Sequence, residues 1–268
     1  AAPAPRFEPA PMDAFDETNV FDEIQPEPVA SVELSEPQDT SVEEDDLSQS
    51  DYEQAGRSAG MMTALILVSR LTGFVRTWAM GAALGLSLLS SSYQIAYNLP
   101  SMLYELVIGG MLITAFLPVY LEVRRERGVA AGNEYVGNLL GILLLVLGVA
   151  SVVATIGAPA VIWTQSFMSA DTGQMDTAIY LFRFFAIEIL FYGLGSVFSG
   201  VLNAHRDYFW SNFAPVLNNV VVIASFAAFF VLDEVLHVDQ IISVTVLAVG
   251  TTLGVFIQMA CQIPALKK

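Results

Sequence analysis

Val68-Ser69-Arg70-Leu71-Thr72-Gly73-Phe74-Val75-Arg76 lies inside the first long apolar segment of the chain, and nothing nearby in sequence neutralises its two arginines. Guanidinium does not shed its proton in a low dielectric, and a charge near a bilayer centre costs from about 3 to over 10 kcal/mol, so such side chains rarely face lipid. They face water, an anion or other protein. At about 100° per residue, Arg70, Gly73, Arg76 and Thr77, with Ser69 between them, share roughly a third of a helix circumference. Snorkelling to an interface or an ion pair with another helix accounts for a single intramembrane arginine. Two on one face point to an anion site.

The composition around this stretch is that of a membrane protein. Apolar residues make up 54% of the 268-residue chain and charged ones 14%, more apolar surface than a soluble domain of this length needs for its core. The acidity has one location. Residues 1–57 hold 16 of the 27 acidic residues against Arg6 and Arg57, whereas the rest carries 11 acids and nine bases. Pro, Glu, Asp and Ser dominate this stretch, with the run Glu43-Glu44-Asp45-Asp46, and Phe7, Phe15 and Phe21 follow no period. So little apolar surface does not offset chain entropy, and residues 1–57 read as a disordered acidic tail. The tail lacks the basic start and apolar core of a signal peptide. A solvated leader is the plain reading, a docking segment or a phosphorylation site around Thr40 and Ser41 the functional one. Without Met at position 1, the chain reads as a fragment.

From Ser58 onward six segments approach or exceed the roughly 20 residues that a membrane-crossing helix needs. They run from about 58–85, 88–120, 134–163, 177–203, 211–232 and 240–264. Arg124, Arg125 and Arg127 follow the second, His205 and Arg206 the fourth, and Lys267 and Lys268 the sixth. The alternate links hold Asp171 and Asp176, then Asp233, Glu234 and Asp239. Basic residues mark the cytoplasmic side, so both chain ends are expected inside.

This inventory excludes several functions. One cysteine, Cys261, forms no internal disulfide, and His205 and His237 fall on opposite sides of the predicted membrane, so no metal site assembles. There is no phosphate-binding glycine loop with its lysine and no nucleophile elbow. The basic loop after the second span is ordinary orienting charge, which argues against nucleic acid.

Polar stripes run down two of the spans. Ser91, Gln94, Asn98, Ser101 and Glu105 are spaced 3, 4, 3 and 4 apart on one face, beside Tyr93, Tyr97 and Tyr104. In the fourth span Glu188, Tyr192, Gly195 and Ser199 follow a 4, 3, 4 rhythm, with Asn203 one turn on. Interhelical hydrogen bonding explains the first stripe without invoking a ligand. Glu188 is expected to pair with an arginine or to bind a proton or cation. Arg183 snorkels outward, Gly137, Gly141 and Gly148 read as close-packing positions, and Pro100 and Pro215 as kinks.

Ser69-Arg70-Leu-Thr-Gly-Phe-Val-Arg76, Asn98-Leu-Pro100 and Ala115-Phe-Leu-Pro-Val-Tyr120 resemble the opening helices of the MurJ/MviN family. Gly200-Val-Leu-Asn203, Phe213-Ala-Pro215 with Asn219, and Gln262-Ile-Pro-Ala-Leu-Lys-Lys268 extend the resemblance, in order, over residues 58–268. These are lipid II flippases of the multidrug/oligosaccharidyl-lipid/polysaccharide exporter superfamily. The resemblance implies an all-α polytopic protein whose six transmembrane helices form the N-terminal lobe of a fourteen-helix, two-lobed transporter in the bacterial cytoplasmic membrane. It implies movement of undecaprenyl-pyrophosphate-linked disaccharide-pentapeptide between leaflets by alternating access, with no bond chemistry and no cofactor beyond a coupling cation or proton. Arg70 and Arg76 match the family's cavity arginines, which implies that they grip the pyrophosphate. Gly73, Ser91, Gln94, Asn98, Ser101, Tyr104, Glu105, Glu188 and Asn203 are the candidate cavity lining.

Three positions depart from the pattern. Ser91 stands where many relatives have Asp, Tyr104 where they have Arg, and Gly109 where they have Glu; Ser91 resembles an actinobacterial variant. Glu105, one turn before Gly109, is the substitute carboxylate in this reading. The competing expectations are an exporter of another polyprenyl-linked saccharide, a cation antiporter, and a degenerate membrane scaffold that docks cell-wall enzymes through its acidic tail. A polyprenyl-phosphate glycosyltransferase lacks the required acidic pair at a membrane-surface loop.

Overall fold

The computed structural model describes residues 41–109, 115–166 and 172–266, and among them all regular structure is helical. The chain divides into two units, Ala1–Gln49 and Ser50–Lys268. Of the first, residues 41–49 are described and are helical; the bundle belongs to the second.

Helix α1 spans Ser41–Leu84 and so starts inside the acidic stretch that composition assigns to a disordered tail up to 57. Acidic residues near a helix start complement its dipole, so the Glu43–Asp46 run is compatible with helix. Residues 1–40 of the expected tail lie outside the described residues. Gly85, at φ +62°, ends α1 in the left-handed region that favours glycine. Ser87 then caps α2 (Leu88–Tyr104), its hydroxyl accepting from the Ser90 amide at 3.3 Å. A π-helical turn follows at Glu105–Gly109.

Helix α3 (Leu117–Arg127) leads through Gly128, at φ +86°, into α4 (Val129–Ile156). The expected third span is divided at Gly157, where α5 (Ala158–Ser166) begins. The fourth divides into α6 (Thr172–Phe185) and α7 (Glu188–Ala204), bent by 41° at the break. Helix α8 (Tyr208–Phe230) ends in a π turn at Val231–Val235. Asp239 caps α9 (Gln240–Ala260) by accepting from the Ile241 amide at 3.0 Å, and α10 covers Ile263–Leu266.

By length and composition, Val129–Ile156, Tyr208–Val235 and Gln240–Leu266 are able to cross a membrane, and the bent α6–α7 pair is a fourth if taken as one span. The apolar run of α1 is diluted by its two arginines, and α2 stops at Tyr104, so neither meets that test by itself. Both expected proline kinks lie within continuous helix, since α2 runs through Pro100 and α8 through Pro215.

The glycines that permit close approach differ from those expected. A Cβ at Gly137, Gly141 or Gly148 would meet nothing within 4 Å, so these α4 positions are not packing contacts here. The close contacts are Gly193 of α7 against Leu147 of α4, and Gly254 of α9, where a Cβ would stand 2.5 Å from Asn218 Oδ1 of α8. The small-residue spacing in α4 was a valid signal of helix association in general, but its partner face is turned outward. Leu144, Leu145, Val149, Val152 and Val153 share that outward exposure.

Candidate functional site

Helix α1 meets the bundle through polar contacts. Asn219 of α8 donates from Nδ2 to the Ser69 carbonyl at 3.2 Å and to Thr72 Oγ1 at 3.0 Å. A Cβ at Gly73 would lie 3.7 Å from the same amide, so this turn of α1 sits closely on Asn219. One turn further, Arg76 donates from Nη1 to the Tyr97 hydroxyl of α2. Its guanidinium carbon stands 4.9 Å from the Tyr97 ring centroid, within cation–π range.

Tyr97 is itself held in place. It stacks on Tyr93 with ring centroids 5.7 Å apart and planes 12° from parallel. Buried Tyr93 meets Thr251 of α9 through their hydroxyls at 3.1 Å and presents its ring to the edges of Phe185 of α6 and Phe226 of α8. Four helices thus fix the aromatic partner of one arginine. Beside it opens a cavity of about 140 Å³ lined by Arg76, Thr77, Gln94, Tyr97, Asn98 and Phe226, among others. A guanidinium carries five N–H donors, so those not given to Tyr97 remain for a guest. Amide side chains and one cation in a small, partly enclosed space suit an oxyanion.

The structure therefore brings Arg76, Gln94 and Asn98 together, with Gly73 one turn away against Asn219. Arg70 is exposed and does not line this cavity. Of the α2 stripe, Ser91 and Glu105 are exposed, Glu105 at the start of the π turn, and Ser101 donates to the Asn98 carbonyl at 2.9 Å. Asn203 accepts from Ser211 Oγ at 2.8 Å and ties the end of α7 to the start of α8.

Tyr104 belongs to a second cavity of about 260 Å³, between α2, α7, α8 and α9, shared with Tyr192, Ser196, Ser199, Gln258 and Gln262. Gln262 is buried, accepts from Ser199 Oγ at 2.8 Å and donates to the Gln258 carbonyl at 3.1 Å. Glu188 is fully buried, and among the described residues neither carboxylate oxygen has a hydrogen-bond partner. The arginine pair expected for it does not form: Arg183 is exposed, and Arg76 is turned to Tyr97.

A third polar cluster lies where α3 meets the α7–α8 turn. Arg124 donates to the hydroxyl of buried Tyr120 at 2.9 Å, Tyr120 and His205 Nε2 are 2.9 Å apart, and Arg124 also contacts His205. Burial, and secondly the positive charge of Arg124, lower the His205 pKa from its ordinary 6.5.

Sequence reasoning did not find Tyr97 as the direct partner of Arg76, nor Asn219 as the anchor of α1. A signal existed for the first, because Tyr93 and Tyr97 sit one position before Gln94 and Asn98 along the same helix.

Fold and site define an all-helical membrane protein that presents an arginine in a polar recess of its bundle. The family described as lipid II flippase MurJ matches residues 80–268. The lipid II flippase MurJ of Burkholderia cenocepacia is 32% identical over 208 residues, covering 77% of this chain and 39% of that protein. A probable lipid II flippase MurJ of Haemophilus influenzae is 27% identical, over 76% of this chain and 40% of its own length. A solved structure of lipid II flippase MurJ in an inward closed conformation shares the fold with a TM-score of 0.61 at 19% identity, over 76% of this chain and 41% of that one. The chain belongs to the MurJ family and spans about two fifths of the length of these relatives.

Proposed function

We propose that this chain is the first lobe of a lipid II flippase, crossing a bacterial cytoplasmic membrane six times with both ends inside. In support, the described parts of all six expected spans are helical, and three of them, with the bent α6–α7 pair as a fourth, are long and apolar enough to cross a membrane. The basic residues follow alternate spans. The cargo is undecaprenyl-pyrophosphate-linked disaccharide-pentapeptide, carried from the inner to the outer leaflet as two lobes rock about a central cavity. No bond is made or broken.

One observation carries this reading: Arg76 is held on Tyr97 with its remaining donors beside a cavity that Gln94 and Asn98 line. A pyrophosphate offers the planar pairs of oxygens that a guanidinium fork matches. Arg70, exposed on the same helix, supplies the second cation, so α1 meets most of the cargo's charge where Tyr104 and Gly109 supply none.

The test is growth of a flippase-depleted bacterium carrying the full-length gene, wild type against Arg70→Ala and Arg76→Ala. Wild type restores growth and Arg76→Ala does not. Failure of the wild type despite membrane expression favours a scaffold or another saccharide cargo, and growth with both arginines removed rejects the pyrophosphate grip.

A further inference from the structure

The Arg76 cavity offers a cation, and the second space in the lobe offers a different chemistry. The cavity of about 260 Å³ between α2, α7, α8 and α9 has no charged residue in its lining. Its polar groups include the hydroxyls of Tyr104, Tyr192, Ser196 and Ser199 and the side-chain amides of Gln258 and Gln262. Four of these side chains, Tyr104, Tyr192, Ser196 and Gln258, make no hydrogen bond among the described residues. Polar groups that serve only to join membrane helices are paired across them, as Ser199 and Gln262 are here at 2.8 Å. The other four are left to be satisfied from the cavity itself.

The lining is held from behind. Gln262 is buried at the α9–α10 turn and fixed by Ser199 and by the Gln258 carbonyl, which takes one of its two N–H donors. A Cβ at Gly195 would stand 3.8 Å from Gln262 Nε2, so a larger side chain there would cover this amide. Tyr104 lies over Gly193 of α7, where a Cβ would stand 3.7 Å from its ring. Its ring centroid is 6.5 Å from that of Tyr192, with the planes 34° apart. Two aromatic rings, two primary amides and uncharged hydroxyls match one class of guest. A pyranose has an apolar C–H face and a rim of hydroxyls, and an N-acetyl substituent adds an amide that pairs with glutamine. A phosphate or a peptide carboxylate would find no cation here, and a metal ion no carboxylate.

We propose that this cavity is a saccharide subsite for an uncharged, N-acetylated pyranose, with Gln258 and Gln262 bonding the acetamido group and Tyr104 and Tyr192 bearing on the ring. The assignment rests on the Arg76 cavity being the pyrophosphate grip, because it gives the two cavities to neighbouring parts of one cargo. Tyr97, against Arg76, and Tyr104 lie on the same side of α2, two turns or about 10 Å apart along its axis. With pyrophosphate on Arg76, the saccharide joined to it follows α2 towards Tyr104. The lobe thus recognises its cargo by charge at one end and by neutral hydrogen bonds at the other. A guest without the acetamido group leaves the glutamine amides unpaired.

The test uses the purified full-length transporter and two probes, the uncharged disaccharide N,N′-diacetylchitobiose, followed by saturation-transfer NMR, and inorganic pyrophosphate, followed by calorimetry. Wild type is expected to bind diacetylchitobiose roughly tenfold more tightly than cellobiose, which lacks the acetamido groups. Gln258→Leu leaves the backbone carbonyl that holds Gln262. It is expected to abolish this preference while pyrophosphate binding and thermal unfolding stay as in wild type. If Gln258→Leu unfolds at a lower temperature, Ser196→Leu, which fills the same cavity from α7, decides in its place by losing the disaccharide. Disaccharide binding unchanged by the substitution overturns the proposal, as does equal affinity for the two disaccharides. Wild type that binds pyrophosphate and no disaccharide overturns it too, and wild type that binds neither probe overturns both assignments. Disaccharide binding that the substitution removes, in a transporter that does not bind pyrophosphate, keeps the saccharide subsite and rejects the anion grip. The same result in a transporter that does not restore growth of the flippase-depleted bacterium keeps the subsite and rejects lipid II as the cargo.

Discussion

The edge formed by α1 and the interior formed by α4, α7, α8 and α9 are held together differently. At the edge, Leu71, Phe74 and Trp78 turn outward, each more than 60% exposed, and α1 is joined to its neighbours by the Asn219 hydrogen bonds and the Arg76–Tyr97 contact. In the interior, Gly193 receives Leu147, Gly254 faces Asn218, and Gly250 faces Ser225. Arg76, the cation of the proposed anion grip, therefore sits on a helix that few apolar contacts constrain. The carboxyl of Glu188 sits fully buried, with no hydrogen-bond partner among the described residues. The proposed grip thus rests on polar contacts that exchange readily, with the packed interior as its rigid back wall.

This contrast predicts that substitutions at the edge change anion binding and leave stability, whereas substitutions in the packed interior do the reverse. The largest effect falls on Arg76. Removing a guanidinium that makes paired charge-assisted bonds costs about 3 kcal/mol, roughly a hundredfold in affinity for a pyrophosphate probe. Arg76→Ala is expected to lose this with little change in thermal unfolding, measured by calorimetry on the full-length protein. Arg70→Ala is expected to lose less, because Arg70 lies outside the cavity. Equal losses would break the distinction between the two arginines.

Gly193→Val tests the other side. With Leu147 already pressed on this position, overpacking costs about 1–3 kcal/mol, read as a lower denaturation temperature. Pyrophosphate affinity is expected to hold at temperatures where the variant is folded. A variant as stable as wild type would show that α4 and α7 part without cost. Tyr97→Phe lies on the boundary between the regions. It removes the hydroxyl but keeps the ring under Arg76, so a change of about 1 kcal/mol, within tenfold in affinity, is expected. Complete loss would place the hydroxyl itself on the anion.

Much of the fold was legible because apolar length, basic loops and glycine or aspartate stops are local signals. Gly85 and Gly128 end or join helices at positive φ, and Asp239 caps α9, as their residue types suggest. The break before Glu188 was not legible, since Phe184-Phe185-Ala186-Ile187 contains no proline or glycine. The face chosen by a helix was less legible still. Gly137 and Gly141 have the spacing of a contact and face outward, while Gly193 and Gly254 make contacts that depend on which neighbour α7 and α9 meet. At the site, helical angles put Gly73 and Arg76 on one side of α1, and Gln94 and Asn98 on one side of α2. That Tyr97 rather than an acid receives Arg76 required the packing of Tyr93 on Phe185 and Phe226.

The smallest effect concerns the end of the interior, where His205 closes α7 against α3. Its Nε2 lies against the Tyr120 hydroxyl and the Arg124 guanidinium, and facing that cation favours the neutral ring. Burial and the Arg124 charge lower its pKa in the folded protein from the ordinary 6.5. The unfolded chain therefore takes up this proton before the folded one does. The stabilisation is fully present above the unfolded value and is lost as the pH falls below 6.5 and through the folded value. His205→Gln keeps an acceptor near Tyr120 and removes the titration, so unfolding of the variant is expected to depend less on pH in this window than unfolding of wild type. Because His205 is solvent-exposed, the difference is a modest one in slope. An unchanged pH profile would mean that the α3 contact does not rest on the neutral ring, and that Arg124 and Tyr120 close this end of the bundle without it.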